Sequence, residues 1–239
     1  MATIKTRRGL YHYKPVTLFL GVNQINKSIA FENLKDIAVV LKKHNIPVAP
    51  CFGTLLGIIR DRDFIDWDED IDLMVLSEDK EELLDAFWDM REIGFEFIRQ
   101  ERCYHTLSVM RNGEYIDFNI MDSVSPELRT DYGGGFFFEK YLKNLIEWDF
   151  KGLTVMIPED YEEYLTFMYG DWRTPVRYIE PDLSRVVKMK RKIIHKVKLM
   201  LPLSLRFYLT KRYHTKDLEK FKKKCEMKGV TLNYPIKWL

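Results

Sequence analysis

The sequence predicts an α/β (α+β) fold, a mixed sheet flanked by helices, followed by a basic helical C-terminal extension. Three observations predict it. Segments of helical and strand periodicity are interleaved without the regular alternation of a doubly wound parallel sheet. Asn112-Gly113, with alternating segments on both sides, is the strongest short-range hairpin signal in the chain. The net charge of +2 conceals a division: residues 1–184 carry 21 Lys and Arg against 33 Asp and Glu, whereas residues 185–239 carry 17 against 3. The expected organisation is an acidic domain over 1–184 and a basic helical extension over 185–239.

Each element follows in order. In NQINKSIAFENLKDIAVVLKKHNI, Ile29, Leu34, Ile37, Val40 and Leu41 recur at helical spacing, and the helix should stop before Pro47. PVAPCF is a short strand ended by Gly53, and TLLGIIR a short helix opening at Gly53-Thr54. RDRDFIDWDED is a charged loop and IDLMVL a strand. Ser77 is the expected N-cap of a helix over DKEELLDAFWDMREI, with Gly94 as its terminator. FEFIRQ and CYHTLSVMR alternate as strands, and the Asn-Gly turn joins the second to EYIDFNIMD. YGGGFFF is expected to be a loop and FKGLTVMIP a strand. PEDYEEYLTFMYG is a helix with Pro158 near its start and Gly170 at its end.

Composition excludes several classes. The hydrophobic fraction of 46% and charged fraction of 31% are those of a soluble globular protein. No apolar stretch is long enough to cross a bilayer. The first residues, MATIKTRRGLYHYKPVTLFLGVNQ, lack the long apolar region and small-residue cleavage site of a signal peptide. Cys51, Cys103 and Cys225 are far apart and form no C-x-x-C pair, which disfavours a disulfide scaffold or zinc knuckle and fits a cytoplasmic location.

The chemistry concentrates in DWDEDID, residues 66–72, where Asp66, Asp68, Glu69, Asp70 and Asp72 precede an apolar run. Like charges this close repel one another, and a solvated acidic loop is the ordinary explanation of such a run. An EF-hand fails, because Ile71 would stand where the turn glycine must be and Ser77 where the bidentate Glu must be. On a strand, Asp70 and Asp72 share one face while Ile71, Leu73 and Val75 take the other. In EYIDFNI, Ile116, Phe118 and Ile120 share a face and leave Asp117 on the opposite one with Tyr115 and Asn119. If the hairpin lies beside IDLMVL, Asp117 joins Asp70 and Asp72. Three such carboxylates suit Mg²⁺ or Mn²⁺ and metal-assisted phosphoryl chemistry. The preceding FGTLLGIIR offers a phosphate seat at Gly53 and Thr54. Arg60, just beyond, is placed to neutralise an anionic substrate.

GTLLGIIRDRDFIDWDEDIDLMV resembles the signature of the LicD/fukutin-related phosphotransferases, members of the nucleotidyltransferase superfamily. YIDFNI resembles the second acidic strand of that family, and VMIPEDYEEYLTFMYGDWRTP its late motif; together they span about residues 30–175. The resemblance implies a nucleotidyltransferase-like fold and a Mg²⁺- or Mn²⁺-dependent transfer, typically of phosphocholine from CDP-choline to a sugar hydroxyl of a surface glycan. It implies that Asp70 and Asp72 are the metal-binding pair, Asp117 the third carboxylate, Gly53 and Thr54 the phosphate-contacting turn, and Arg60 the motif's arginine. Asp68 matches an acidic position of the motif, and Asp66 replaces its usual Pro.

Trp67 and His105 are further candidate substrate contacts; packing is the plainer explanation for each Trp. Tyr132 and Gly133–Gly135 form a surface loop by default, with closure over a substrate as the alternative. In the tail, Met189, Ile193, Val197, Met200 and Leu201 repeat at helical spacing amid Lys and Arg. Peripheral contact of 185–228 with an anionic membrane, at the inner face, and packing of that stripe on the body stand level. Nucleic acid is disfavoured, because Lys is not interleaved with stacking aromatics. The expected partners are a CDP-linked donor such as CDP-choline and a glycan or lipid-linked saccharide acceptor. The rivals are nucleoside monophosphate transfer and a catalytically silent membrane- or nucleic-acid-binding scaffold.

Overall fold

Asn112 and Gly113 have φ of 55° and 87°, the left-handed pair that a two-residue hairpin turn requires. They join β6 (Thr106–Arg111) to β7 (Glu114–Ser125). The computed structural model describes residues 1–16, 18, 24–101, 105–131, 135–176 and 201–235. Before the hairpin come β1 (Ala2–Thr6), β2 (Gly9–Tyr13), α1 (Lys27–Lys43), β3 (Val48–Pro50), α2 (Phe52–Leu56), β4 (Ile71–Leu76), α3 (Lys80–Glu92) and β5 (Glu96–Glu101). After it come β8 (Leu128–Thr130), β9 (Phe136–Phe138), α4 (Lys140–Lys143), β10 (Leu145–Phe150), β11 (Leu153–Pro158), α5 (Tyr161–Tyr169) and α6 (Leu203–Met227).

The central sheet runs β3-β4-β7-β6-β5, with β8 on the far half of β7 and β9 on β8. Its β4–β7 pair is parallel and its other pairs antiparallel, so the sheet is mixed, as expected. One face is the core. Phe87 of α3 stacks on Phe97 with ring centroids 4.9 Å apart and meets Phe118 at 5.9 Å, while Ile37 of α1, Ile116 and Ile120 are equally buried. Each such side chain contributes ~1.5–3 kcal/mol relative to exposure. The other face carries the polar residues of β4, β6 and β7.

Helix α1 stops at Lys43, short of Pro47, and Asn26 caps its start by accepting from the Ile29 N–H at 3.2 Å. Gly94 ends the α3 segment with φ 91°. Ser77 does not cap α3: Ser77–Asp79 form a 3₁₀ turn, and the Ser77 hydroxyl donates to Glu78 at 3.2 Å. The turn sets the helix start at Lys80, one residue later than expected. The predicted loop at FFF is instead β9, whose Phe136 and Phe137 are buried against β8. The predicted strand FKGLTVMIP is present as β11, but its first residues are a turn at Lys151 and Gly152, with φ of 54° and 83°, that joins it to the unpredicted β10. Pro158 closes β11 rather than opening α5.

Helix α2 begins one residue before Gly53, at Phe52, and a π-helical turn over Gly57–Asp61 extends it. Gly57 is needed for close approach: a Cβ there would stand 2.5 Å from the Asp63 carbonyl oxygen, where the following loop folds back. At the N-terminus the β1–β2 hairpin, unforeseen in the sequence, is held to α3. Arg7 Nε donates to Asp85 at 2.7 Å, Trp88 Nε1 to Thr6 Oγ1 at 3.0 Å, and Arg91 lies 3.6 Å over the Tyr11 ring.

Met1–Gly170 with Leu232–Leu239 form one compact unit, and Asp171–Thr231 a second. The predicted 184/185 boundary lies outside the described residues, as do Met189, Ile193, Val197 and Met200 of the expected stripe, Cys103, Tyr132, Gly133 and Gly134. In the second unit α6 buries His214, Leu218, Phe221 and Cys225 along one face. No described helix is long and apolar enough to cross a membrane.

Candidate metal centre

The parallel register of β4 and β7 sets Asp72 opposite Asp117. Asp70 precedes β4 by one residue and shares its face with Asp72. One carboxylate oxygen from each of Asp70, Asp72 and Asp117 lies within 4.8 Å of the others. The cluster is the expected one, and its members are drawn from two separate strands.

Its surroundings hold it in place. Thr54 is buried, and its hydroxyl accepts from the Asp72 N–H at 2.9 Å, fastening α2 to the start of β4. Cys51 N–H donates to the Asp72 carbonyl at 3.0 Å. Asn119 Nδ2 donates to Asp72 Oδ1 at 2.9 Å. Ser108 Oγ donates to Asp117 Oδ1 at 2.6 Å, and Arg99 donates through Nη2 to Asp117 Oδ2 and through Nε to Ser108 Oγ, the latter at 2.9 Å. The Tyr115 hydroxyl donates to Asp70.

Burial pushes the carboxyls of Asp70 and Asp72 well above the usual range, and neighbouring carboxylates push them further: Asp72 then Asp117 for Asp70, and Asp117 for Asp72. Burial also raises Asp117, against the pull of Arg99 and Ser108. The group therefore strains against its own ionisation and favours an added cation. Three hard oxygen donors converging from a rigid sheet match a divalent cation site.

Asp68 lies beside this cluster. Its carboxylate packs against Gly53, where a Cβ would stand 2.2 Å from Oδ2, so the glycine is required by the carboxylate. Burial raises Asp68 to about 6. At the head of α2 the Phe52 N–H is taken by the Tyr164 hydroxyl at 3.3 Å. Arg60 is forked onto Asp61, both bonds 2.7 Å. His105 is paired through Nδ1 with Asp122, beyond the triad along β7. Trp67 is 36% exposed on the acidic loop.

Sequence reasoning missed four neighbours. Arg99 and Ser108 grip Asp117. Asp131, buried at the end of β8, adds its charge to that felt by Asp72. Tyr169 of α5 is raised by burial and then by the charges of Cys51, Asp72 and Asp68. Only Arg99 left a signal: simple alternation in FEFIRQ would put it on the apolar face with Phe97.

Residues 45–160 match the family described as LicD/FKTN/FKRP, nucleotidyltransferase domain. An uncharacterized protein of Rickettsia prowazekii (strain Madrid E) is 28% identical over 187 residues, covering 72% of this chain and 67% of that protein. An uncharacterized protein of Rickettsia typhi (strain ATCC VR-144 / Wilmington) is 26% identical over 142 residues, covering 59% of this chain and 46% of its own length. The chain thus spans about two thirds of one relative and under half of the other. Among solved structures, ANT(2")-Ia in complex with adenylyl-2"-tobramycin superposes with a TM-score of 0.43 at 14% identity, covering 79% of this chain and 98% of that one. The lincomycin-bound lincosamide antibiotic adenylyltransferase LnuA gives 0.42 at 11% identity, covering 71% and 96%.

Proposed function

Because residues 45–160 are a LicD/FKTN/FKRP nucleotidyltransferase domain, we propose that this protein is a metal-dependent phosphotransferase. It moves a phospho-alcohol, phosphocholine foremost, from a CDP-linked donor to a sugar hydroxyl of a cell-surface glycan or its lipid-linked precursor. The observation that supports this reading is the convergence of Asp70, Asp72 and Asp117 within 4.8 Å, with more negative charge than their protein partners offset.

Asp70, Asp72 and Asp117 would hold Mg²⁺ or Mn²⁺, which supplies charge stabilisation for the donor's phosphate oxygens. A CDP-linked donor is already activated, so the protein's work is alignment and electrostatics. Thr54 fixes the backbone of Asp72, and Gly53 leaves room for Asp68 against the turn. Asp68, raised to about 6, is the carboxylate best poised to take the acceptor hydroxyl's proton near neutral pH. Trp67, 36% exposed on the same loop, would meet a choline ammonium by cation–π attraction.

Incubation with CDP-choline, Mg²⁺ and a sugar acceptor tests the reading. Release of CMP is expected; release of pyrophosphate from a nucleoside triphosphate, with no CMP from CDP-choline, would favour nucleotidyl transfer instead. A scaffold without catalytic function would bind no Mn²⁺ in a calorimetric titration.

The extension would bring the enzyme to a lipid-linked acceptor at the inner membrane face. On α6, Leu205, Tyr208 and Leu209 are exposed at helical spacing with Arg212 and Lys216. The full chain should sediment with vesicles containing anionic lipid and not with neutral ones. Equal sedimentation of a 1–184 truncation would remove this role.

A further inference from the structure

Arg99 reaches the carboxylates only because β5 departs from regular pairing. Phe97 pairs with Val109, and the next pair joins Arg99 to Ser108, so Ile98 is one residue too many on the β5 side. Without that bulge Ile98 would oppose Ser108, and Arg99 would fall on the same face as Phe97, among the core aromatics. The extra residue re-aims the side chain, as bulges do beside functional sites. The irregularity is secured from outside the strand: Val16 N–H donates to the Ile98 carbonyl at 3.0 Å, and the Ile98 side chain is buried.

The result is a straight row across four strands. Asp72 opposes Asp117, Asp117 opposes Ser108, and Ser108 opposes Arg99. The guanidinium closes the row by donating to both Ser108 Oγ and Asp117 Oδ2. It is the one basic side chain bonded to a triad carboxylate among the described residues.

We propose that Arg99 is a positioning residue that sets the charge the triad presents to a bound cation: placed by the β5 bulge, it offsets one of the three carboxylates. The inference rests on the cation reading of the triad. A fixed positive charge beside the site opposes the cation as directly as it holds Asp117. Its presence therefore weakens cation binding and keeps the ion exchangeable. An arginine that merely anchored β5 in the sheet would leave cation affinity alone.

Calorimetric titration of the full chain with Mn²⁺ separates these roles. In Arg99→Met and Arg99→Gln, checked as folded by circular dichroism, Mn²⁺ should bind about tenfold or more tighter than in wild type. Arg99→Lys, which keeps the charge without the fork, should stay close to wild type. Wild-type binding together with unchanged or weaker binding in both neutral variants would overturn the role of Arg99 alone. Tightening in Arg99→Lys equal to that in Arg99→Met would overturn it as well, because charge would not then be the cause. Absence of Mn²⁺ binding by the wild-type chain would instead bring down the cation reading, and this inference with it.

Discussion

Asp72→Asn lowers turnover by about a thousandfold or more while leaving the protein folded. The substitution keeps the side-chain oxygen that accepts from Asn119 and does not alter the backbone N–H that donates to Thr54. What it removes is a charge facing Asp117 across the parallel pair. In the cation-free protein that charge is unfavourable, since burial and Asp117 raise the Asp72 carboxyl well above its ordinary 3.8. Folding then takes up protons above that ordinary value, so the stability of the cation-free protein falls as pH rises from there. Asp72→Asn removes this slope contribution. In chelator at pH 7 its melting temperature should equal or exceed that of wild type, and added Mn²⁺ should raise it less. Wild-type-like turnover in the folded variant would contradict a role for Asp72 in the reaction.

Arg129→Met destabilises the chain by ~1–3 kcal/mol, the cost of leaving buried acceptors without the donor they had. Arg129 is only 2% exposed and ties three segments together. Nη1 donates to Glu78 at 2.7 Å and to the Met121 carbonyl at 3.0 Å; Nη2 donates to Glu78 at 2.6 Å and to Glu139 at 3.0 Å. Methionine fills similar space but leaves the Met121 carbonyl and Glu139 without this donor. The Arg129 fork lowers Glu78 from its ordinary 4.5 to about 2. That stabilisation is complete above the ordinary value and is lost as pH falls toward about 2. Urea unfolding at pH 7 and pH 3 checks both points: the gap between wild type and variant should narrow at the lower pH. A variant within about 1 kcal/mol of wild type at pH 7 would remove Arg129 as a keystone.

Where period and turn chemistry agreed, the fold was legible. The Asn112-Gly113 turn, the α1 stripe and the apolar run after Asp70 all appear where the sequence puts them, because each is decided locally. Lys151-Gly152 adopts the same pair of positive φ angles as Asn112-Gly113, yet lysine carries a far weaker turn signal, and β10 went unseen. The β1–β2 hairpin was hidden by its basic turn, whose arginines are satisfied by groups of α3, chiefly its carboxylates. For the site, side-chain alternation was enough to turn Asp70, Asp72 and Asp117 to one face. Arg99 was not legible, since a bulge inverts the alternation and depends on pairing with a strand ten residues away. The misplaced arginine in an otherwise apolar-alternating FEFIRQ was the available clue. Asp131 and Tyr169 reach the site through tertiary packing, which no periodicity in one segment encodes.

The central claim is that three aspartates from two strands share one ion. Crystals soaked in Mn²⁺ and measured at the manganese absorption edge test it directly. The account expects an anomalous peak bonded to Asp70, Asp72 and Asp117 at about 2.0–2.3 Å, the range for oxygen ligands of small divalent ions. A fully soaked crystal with no peak there, or with manganese bound by other residues alone, would contradict it.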